Sequence, residues 1–181
     1  YAIECAILKV FSSEVIQYTS DEAVQVYGGM GFSAESEVEA CYRDARISRI
    51  YEGTNEINRL LIVKMVLKKA VTGEIDFFEP AKHVVKELMS IPSFQESSND
   101  IFNEFKIVLK NLKKIILMIA GTAAEKLGTK IGEEQELMMN ISEMIIDTYM
   151  LESALLKTEK LTSKEGPIKN QERISMCINF L

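Results

Sequence analysis

Glu52 is the residue whose surroundings could do acid–base chemistry. It stands in Arg49-Ile50-Tyr51-Glu52-Gly53-Thr54-Asn55-Glu56-Ile57, behind an apolar, β-branched and aromatic approach (Ile47, Ile50, Tyr51) and ahead of a glycine. A carboxylate in that company can be partly desolvated, which raises its pKa above the free value of roughly 4.3 and makes it a useful proton acceptor. Gly53 would let a substrate lie close against bare backbone. Thr54, with Glu56 two residues on, reads as the start of a helix. A solvent-facing loop glutamate without chemistry has the same spacing, and spacing alone does not choose between the two.

Upstream lies a glycine turn, Gln25-Val26-Tyr27-Gly28-Gly29-Met30-Gly31-Phe32. It is not the dinucleotide fingerprint, which needs a preceding strand, and no Gly-Lys-Ser/Thr follows to make a P-loop. As plain structure it is a helix stop; as a site, its exposed backbone N–H groups suit a pyrophosphate. Between the two stretches, Arg43, Arg46 and Arg49 recur every third residue. They could mimic a phosphate-binding stripe, but the interleaved Glu39, Asp44 and Glu52 favour charge pairing on a packed surface.

Taken in order, Gln25 to Phe32, Val38-Glu39, Tyr42-Arg43-Asp44-Ala45-Arg46-Ile47 and Ile50 to Ile57 resemble the C-terminal part of the acyl-CoA dehydrogenase family. The resemblance runs from Tyr1 to about Leu67. The opening residues Ala2 to Phe11 and the long extension past Leu67 are most similar to the very-long-chain branch. Ala40 departs from the pattern, since the family often carries a basic residue there; that touches a surface contact and not the reaction.

The resemblance implies a flavoenzyme that dehydrogenates a fatty acyl-CoA thioester between Cα and Cβ, giving a trans-2-enoyl-CoA in fatty acid β-oxidation. It implies Glu52 as the base, Tyr51 and Gly53 at the substrate, and Gln25, Gly28, Gly29, Thr54, Asn55 and Glu56 at FAD, the glycine turn facing a flavin held by the neighbouring subunit. The isovaleryl-type branch lacks the glutamate at this place, so Glu52 implies a straight-chain substrate. An electron-transferring flavoprotein as acceptor, a homo-oligomer, and a cytoplasmic place if bacterial or mitochondrial if eukaryotic follow from the same likeness. A non-catalytic helical assembly or membrane-docking module is the rival reading.

Composition narrows the classes. The net charge of −6 argues against nucleic acid, whose binding is carried by clustered Lys and Arg. Three widely spaced cysteines, Cys5, Cys41 and Cys177, form no Cys-x-x-Cys pair and read as reduced thiols. A lone His83 makes a histidine metal site or a triad unsupported, so no metal is expected. The most apolar run, Ile115 to Ala120, is far shorter than the eighteen or so residues a membrane span needs. The chain opens at Tyr1 inside a helical pattern, as a piece of a longer protein would, and such a piece is expected to be inactive by itself.

The elements that must position these residues all read as helices. Ala6, Ile7, Val10, Phe11, Val15 and Ile16 trace an apolar face over residues 1 to about 20. Asp21 starts a second short helix to Tyr27, and Gly28-Gly29 stops it. Residues 37 to 47 fit either a short helix or an irregular approach. A helix from Thr54 to about Ala70 ends at Thr72-Gly73. Pro80, Pro92 and the polar cluster Gln95 to Asp100 mark a connector, with a short helix from about Ala81 to Met89.

Two long helices follow. Phe105, Val108, Leu112, Ile115, Ile119, Ala123 and Leu127 recur three or four apart, as do Leu137, Ile141, Met144, Thr148, Leu151 and Leu155. With Gly128 and Gly132 at the turn, this predicts an antiparallel helical hairpin. Lys106, Lys110, Lys113 and Lys114 border its stripe and could meet an anionic membrane. A soluble hairpin with the stripe buried is the preferred reading of the same pattern. Met138, Met139, Met144 and Met150 are core filler either way, and Gly166-Pro167 opens a last helical segment. The expected fold is all-α, with residues 1–73 as part of the family's C-terminal helical bundle and 74–181 as an appended helical domain.

Overall fold

The computed structural model describes residues 1–88 and 101–180, and within them every regular element is a helix. They are α1 (Ala2–Tyr27), α2 (Gly29–Phe32), α3 (Glu37–Ser48), α4 (Asn55–Val71), α5 (Phe78–Leu88), α6 (Ile101–Leu127), α7 (Gln135–Glu165) and α8 (Gln171–Phe180). Short 3-10 turns at Gly128–Glu133 and Ile168–Asn170 precede α7 and α8. Met89, Pro92 and the polar cluster from Gln95 to Asp100 lie outside the described residues.

Two compact units divide the chain: residues 1–69 with 135–142, and residues 70–134 with 143–181. In the first, α1 packs on α2 and α3. Its core includes Ala6, Ile7, Val10, Ala45, Ile62, Val63, Met138 and Ile141. The expected break before Asp21 does not occur, and α1 runs unbroken to Gly28. Thr19 Oγ1 bonds back to the carbonyls of Val15 and Ile16, so this polar stretch satisfies itself on the helix. Gly28 then ends α1 at φ 59° and ψ −141°, a backbone region essentially confined to glycine. The open choice over residues 37–47 resolves to a helix, because Ser36 Oγ accepts from Val38 N at 3.2 Å and Glu37 and Glu39 occupy the positive first turn.

The buried face of α1 differs from the periodicity. Val15 and Ile16 are exposed, and Ser13 is buried in their stead. A polar residue wins there because it has a partner in α4, described below.

In the second unit α6 and α7 run antiparallel, as Lys106–Glu159 (2.5 Å) and Lys113–Glu152 (2.6 Å) require. Their shared core is Phe105, Leu109, Leu151 and Leu155, joined by Cys177 of α8. The hairpin forms as expected, but its seam on α6 is displaced. Phe105 and Ala123 are buried as expected, but Val108 and Ile115 are exposed, and Leu109 and Ala120 are buried in their stead. Because α6 is apolar on more than one face, periodicity could not set its phase. Packing of α5 does: Ala81 Cβ comes within 2.7 Å of where a Cβ on Gly121 would stand, so the two helices can touch only through glycine.

Lys114 answers Glu87 on α5 at 2.5 Å, so three of the four stripe lysines pair with carboxylates of neighbouring helices. No described helix is long and apolar enough to cross a membrane. At the far end of α7, the buried Asn170 donates to the Gly166 carbonyl at 3.0 Å and accepts from Arg173 at 2.7 Å, closing the turn into α8.

Gly121→Val should therefore force α5 off α6. The expected loss is about 1–3 kcal/mol, typical of overpacking, read as a lower midpoint in thermal denaturation; an unchanged midpoint would mean that the close crossing is not required.

Candidate active site

The loop carrying Glu52 is built by closing α3 onto α4. Ile50 N and Tyr51 N both donate to the Ile47 carbonyl, and Asn55 N donates across the loop to Arg49 O at 3.1 Å. Between these ties the chain must reverse, and it does so with consecutive left-handed residues, Glu52 (φ 54°) and Gly53 (φ 82°). Glu52 is the one non-glycine residue with positive φ among the described residues. Such a conformation costs on the order of 1–3 kcal/mol and persists only where the surroundings over-determine it.

The surroundings here are a polar network reaching from α1. Lys9 Nζ donates to Gly53 O at 2.7 Å and to Asn55 Oδ1 at 2.6 Å. The Asn55 side chain is fully buried; its Nδ2 donates to Ser13 Oγ at 2.9 Å and to Glu14 Oε1 at 3.1 Å. Glu14 also receives Arg59 at 2.9 Å, with Arg49 at 3.9 Å. Asn58 Nδ2 donates to the Gly53 carbonyl from the other side, at 2.8 Å. Burial pushes the Lys9 ammonium down from its ordinary pKa, while the carboxylates of Glu56, Glu52 and Glu14 oppose that shift.

At the start of α4, Thr54 Oγ1 accepts from Ile57 N at 3.2 Å, the helix cap expected from the sequence. Glu56 is held below the usual carboxylate range, first by its own backbone N–H and then by the Thr54 hydroxyl.

The candidate residues fall into two groups. Tyr51, Glu52, Gly53, Thr54, Asn55 and Glu56 share this one loop and helix start. Gln25, Gly28 and Gly29 share the exposed turn between α1 and α2, where a Cβ on Gly28 or Gly29 would meet nothing within 4 Å. One expectation needs correction. Glu52 is exposed, because its apolar neighbours Ile47, Ile50 and Tyr51 are themselves exposed and exclude no water from it. Asn55 turns its side chain inward, its amide committed to Lys9, Ser13 and Glu14.

In the arginine series, Arg43 bonds the interleaved Glu39 on its own helix, and Arg49 faces Glu14 of α1. Lys9, Ser13, Glu14, Asn58 and Arg59 were not singled out from the sequence. A faint signal was available: Ser13 continues the buried face of Ile7 and Val10, where a polar residue must find a partner.

No described cluster of three His, Cys, Asp or Glu side chains could hold a metal. A cleft of about 1030 Å³ lies in the second unit, lined by residues such as Lys86, Lys110 and Leu156 and by none of the candidates.

Thr54→Ala should cost about 1 kcal/mol of stability, the usual worth of a helix cap. Because the folded-state pKa of Glu56 is depressed, its share of stability is present above the unfolded value, near 4.3, and fades as pH falls through the folded value. Thermal melts at pH 7 and below pH 4 check both: the mutant should differ less from the parent at the acidic end.

Two sequence profiles, each described as the acyl-CoA dehydrogenase C-terminal domain, match residues 2–67 and 111–179. A probable acyl-CoA dehydrogenase of Bacillus subtilis is 45% identical across 96% of this chain and 29% of its own length. The human mitochondrial very long-chain specific acyl-CoA dehydrogenase is 52% identical over 62 residues, which are 34% of this chain and 10% of that protein. A crystal structure of an acyl-CoA dehydrogenase complexed with FAD, from Bacillus anthracis, superposes with a TM-score of 0.93 at 45% identity, covering 99% of this chain and 30% of that one. The chain therefore spans less than a third of the length of the full-length relatives it matches end to end.

Proposed function

This chain belongs to the acyl-CoA dehydrogenase family, and from that membership we propose that it contributes the base and one face of the flavin site to an FAD-dependent enzyme of fatty acid β-oxidation. The observation that carries the reading is the left-handed backbone at Glu52, pinned by a polar network anchored on the buried Asn55. Strain held in place this firmly supports a positioned functional group, since a bland surface loop would relax it.

Glu52 takes the α-proton of a straight-chain fatty acyl-CoA, made acidic by the thioester carbonyl. Tyr51 and Gly53 lie beside it at the substrate, the glycine allowing close approach. Exposed Ile47, Ile50, Tyr51 and Ile57 form the apolar surroundings that a bound acyl chain or the remaining domains would cover. Covering them expels water from Glu52 and raises its affinity for the proton.

FAD, when bound, accepts the β-hydrogen as hydride, so that the loss of proton and hydride leaves a trans-2-enoyl-CoA. The residues present fit such a group: Gly28 and Gly29 offer bare, exposed backbone beside Gln25, with room for close approach. Thr54 and Glu56 hold the second set of contacts, and Asn55 supports them from beneath. In this reading residues 1–73 complete a catalytic bundle within a homo-oligomer, and residues 74–181 form the appended helical domain. Electrons leave to an electron-transferring flavoprotein, in the cytoplasm if the source is a bacterium and in the mitochondrion if it is a eukaryote.

In the intact enzyme, Glu52→Gln should slow flavin reduction by about a hundred- to ten-thousand-fold with flavin still bound, the usual contribution of a positioned base. Stopped-flow bleaching with a long straight-chain acyl-CoA measures it, and near-parental rates would move the base elsewhere. The 181-residue chain alone should neither hold flavin nor turn over, because it carries one edge of a composite site. Micromolar affinity in a fluorescence titration would refute that.

A further inference from the structure

The residue most firmly attached to the Glu52 loop from outside comes from α1, and nothing in the proposed chemistry uses it. Lys9 stands 44 positions from Gly53 in sequence, yet its Nζ donates to the Gly53 carbonyl at 2.7 Å. The same nitrogen donates to Asn55 Oδ1 at 2.6 Å. Its two acceptors thus flank Thr54, and the first adjoins the strained residue. The other bond to this carbonyl, from Asn58, comes from within α4 and would travel with the loop.

We propose that Lys9 is a positioning residue for Glu52: by tying the Gly53 carbonyl and the Asn55 side chain to α1, it holds the preceding residue in the left-handed conformation from which its carboxylate meets the substrate.

The proposal rests on Glu52 being the base. Two consecutive left-handed residues form a turn that relaxes unless its ends are fixed, and the penalty at Glu52 has no glycine to absorb it. Arg49 O···Asn55 N fixes the span of the loop, but a span alone leaves the peptide between Glu52 and Thr54 free to flip. Lys9 removes that freedom by holding the carbonyl. The carboxylates of Glu56, Glu52 and Glu14 nearby favour its charged form, with Arg49 opposing. Asn55 is fully buried against Ser13 and Glu14, so the anchor on the far side is rigid. The hydrogen bonds of Lys9 to the loop go to the Gly53 backbone and the Asn55 side chain. Its loss should therefore alter the rate of proton removal more than the affinity for acyl-CoA.

The test uses the intact flavoenzyme and stopped-flow flavin reduction across a range of straight-chain acyl-CoA concentrations, which separates the limiting rate from the dissociation constant. Lys9→Met should lower the limiting rate by about ten- to a hundred-fold, the scale of an ångström-level misplacement, with the dissociation constant within about twofold and flavin retained. Lys9→Arg, which keeps a cationic donor, should recover most of the rate. If Lys9→Met does not retain flavin, Lys9→Gln, with one donor left for the Gly53 carbonyl but no reach to Asn55 as well, should lower the limiting rate in the same direction by less. A parental limiting rate without the lysine, or a loss confined to acyl-CoA affinity, overturns the proposal. Glu52→Gln measured alongside separates the two levels: parental reduction there refutes the assignment of the base itself, whereas an inactive Glu52→Gln beside a fully active Lys9→Met refutes only the role of Lys9.

Discussion

The Gly53 carbonyl is gripped from two sides, by Lys9 at 2.7 Å and by Asn58 at 2.8 Å, and the arrangement of the first unit follows from that grip. A loop that turns with Glu52 and Gly53 both left-handed is unfavourable alone. It holds because Asn55, directly after it, is sunk between Ser13, Glu14 and Lys9 of α1. Glu14 in turn takes the Arg59 guanidinium of α4, so α1 and α4 are joined by charge-assisted bonds at the level of the loop. Buried polar groups of this kind are costly when half satisfied, which makes the network selective for one register of α4 against α1.

The second unit is held by different means. Its contacts are mainly apolar, Phe105 and Leu109 against Leu151 and Leu155, with Lys–Glu pairs along the margin. Exposed pairs of that sort contribute little energy, but opposite signs on facing helices favour the antiparallel register over a shifted one. Small residues set the third helix: Gly121 and Ala81 let α5 approach α6 more closely than any larger pair would allow. The candidate chemistry therefore stands in the unit whose cohesion depends on polar geometry, and the unit built on ordinary hydrophobic packing carries none of the candidate residues.

An exposed candidate base and an exposed glycine turn are coherent in a chain that spans less than a third of the relatives it matches end to end. Ile50, Tyr51 and Ile57 beside Glu52, and Tyr27, Met30 and Phe32 beside Gly29, are large apolar side chains left in solvent. Contiguous apolar surface next to polar groups is the mark of a face that meets something else. Under the proposed function, flavin, acyl chain and the remaining protein are what it meets.

Local signals in the sequence determined the helical class, the stop at Gly28, the cap at Thr54 and the long hairpin from Ile101 onward, because each depends on side chains a few positions apart. Gly28 had to be glycine for its φ of 59°, and the Thr54 hydroxyl needed only the next turn of its own helix. The candidate loop was legible for the same reason, its residues being consecutive. Only the tertiary structure decided which face of α1 and α6 is buried, that Asn55 points inward, and that Lys9 holds Gly53 from 44 positions away. A helix apolar on several faces has no preferred phase until a neighbour such as α5 packs on it, and a hydrogen bond between distant residues leaves no periodicity in either. The strain at Glu52 was hidden on both counts, since nothing about a glutamate announces a positive φ; the surrounding network imposes it.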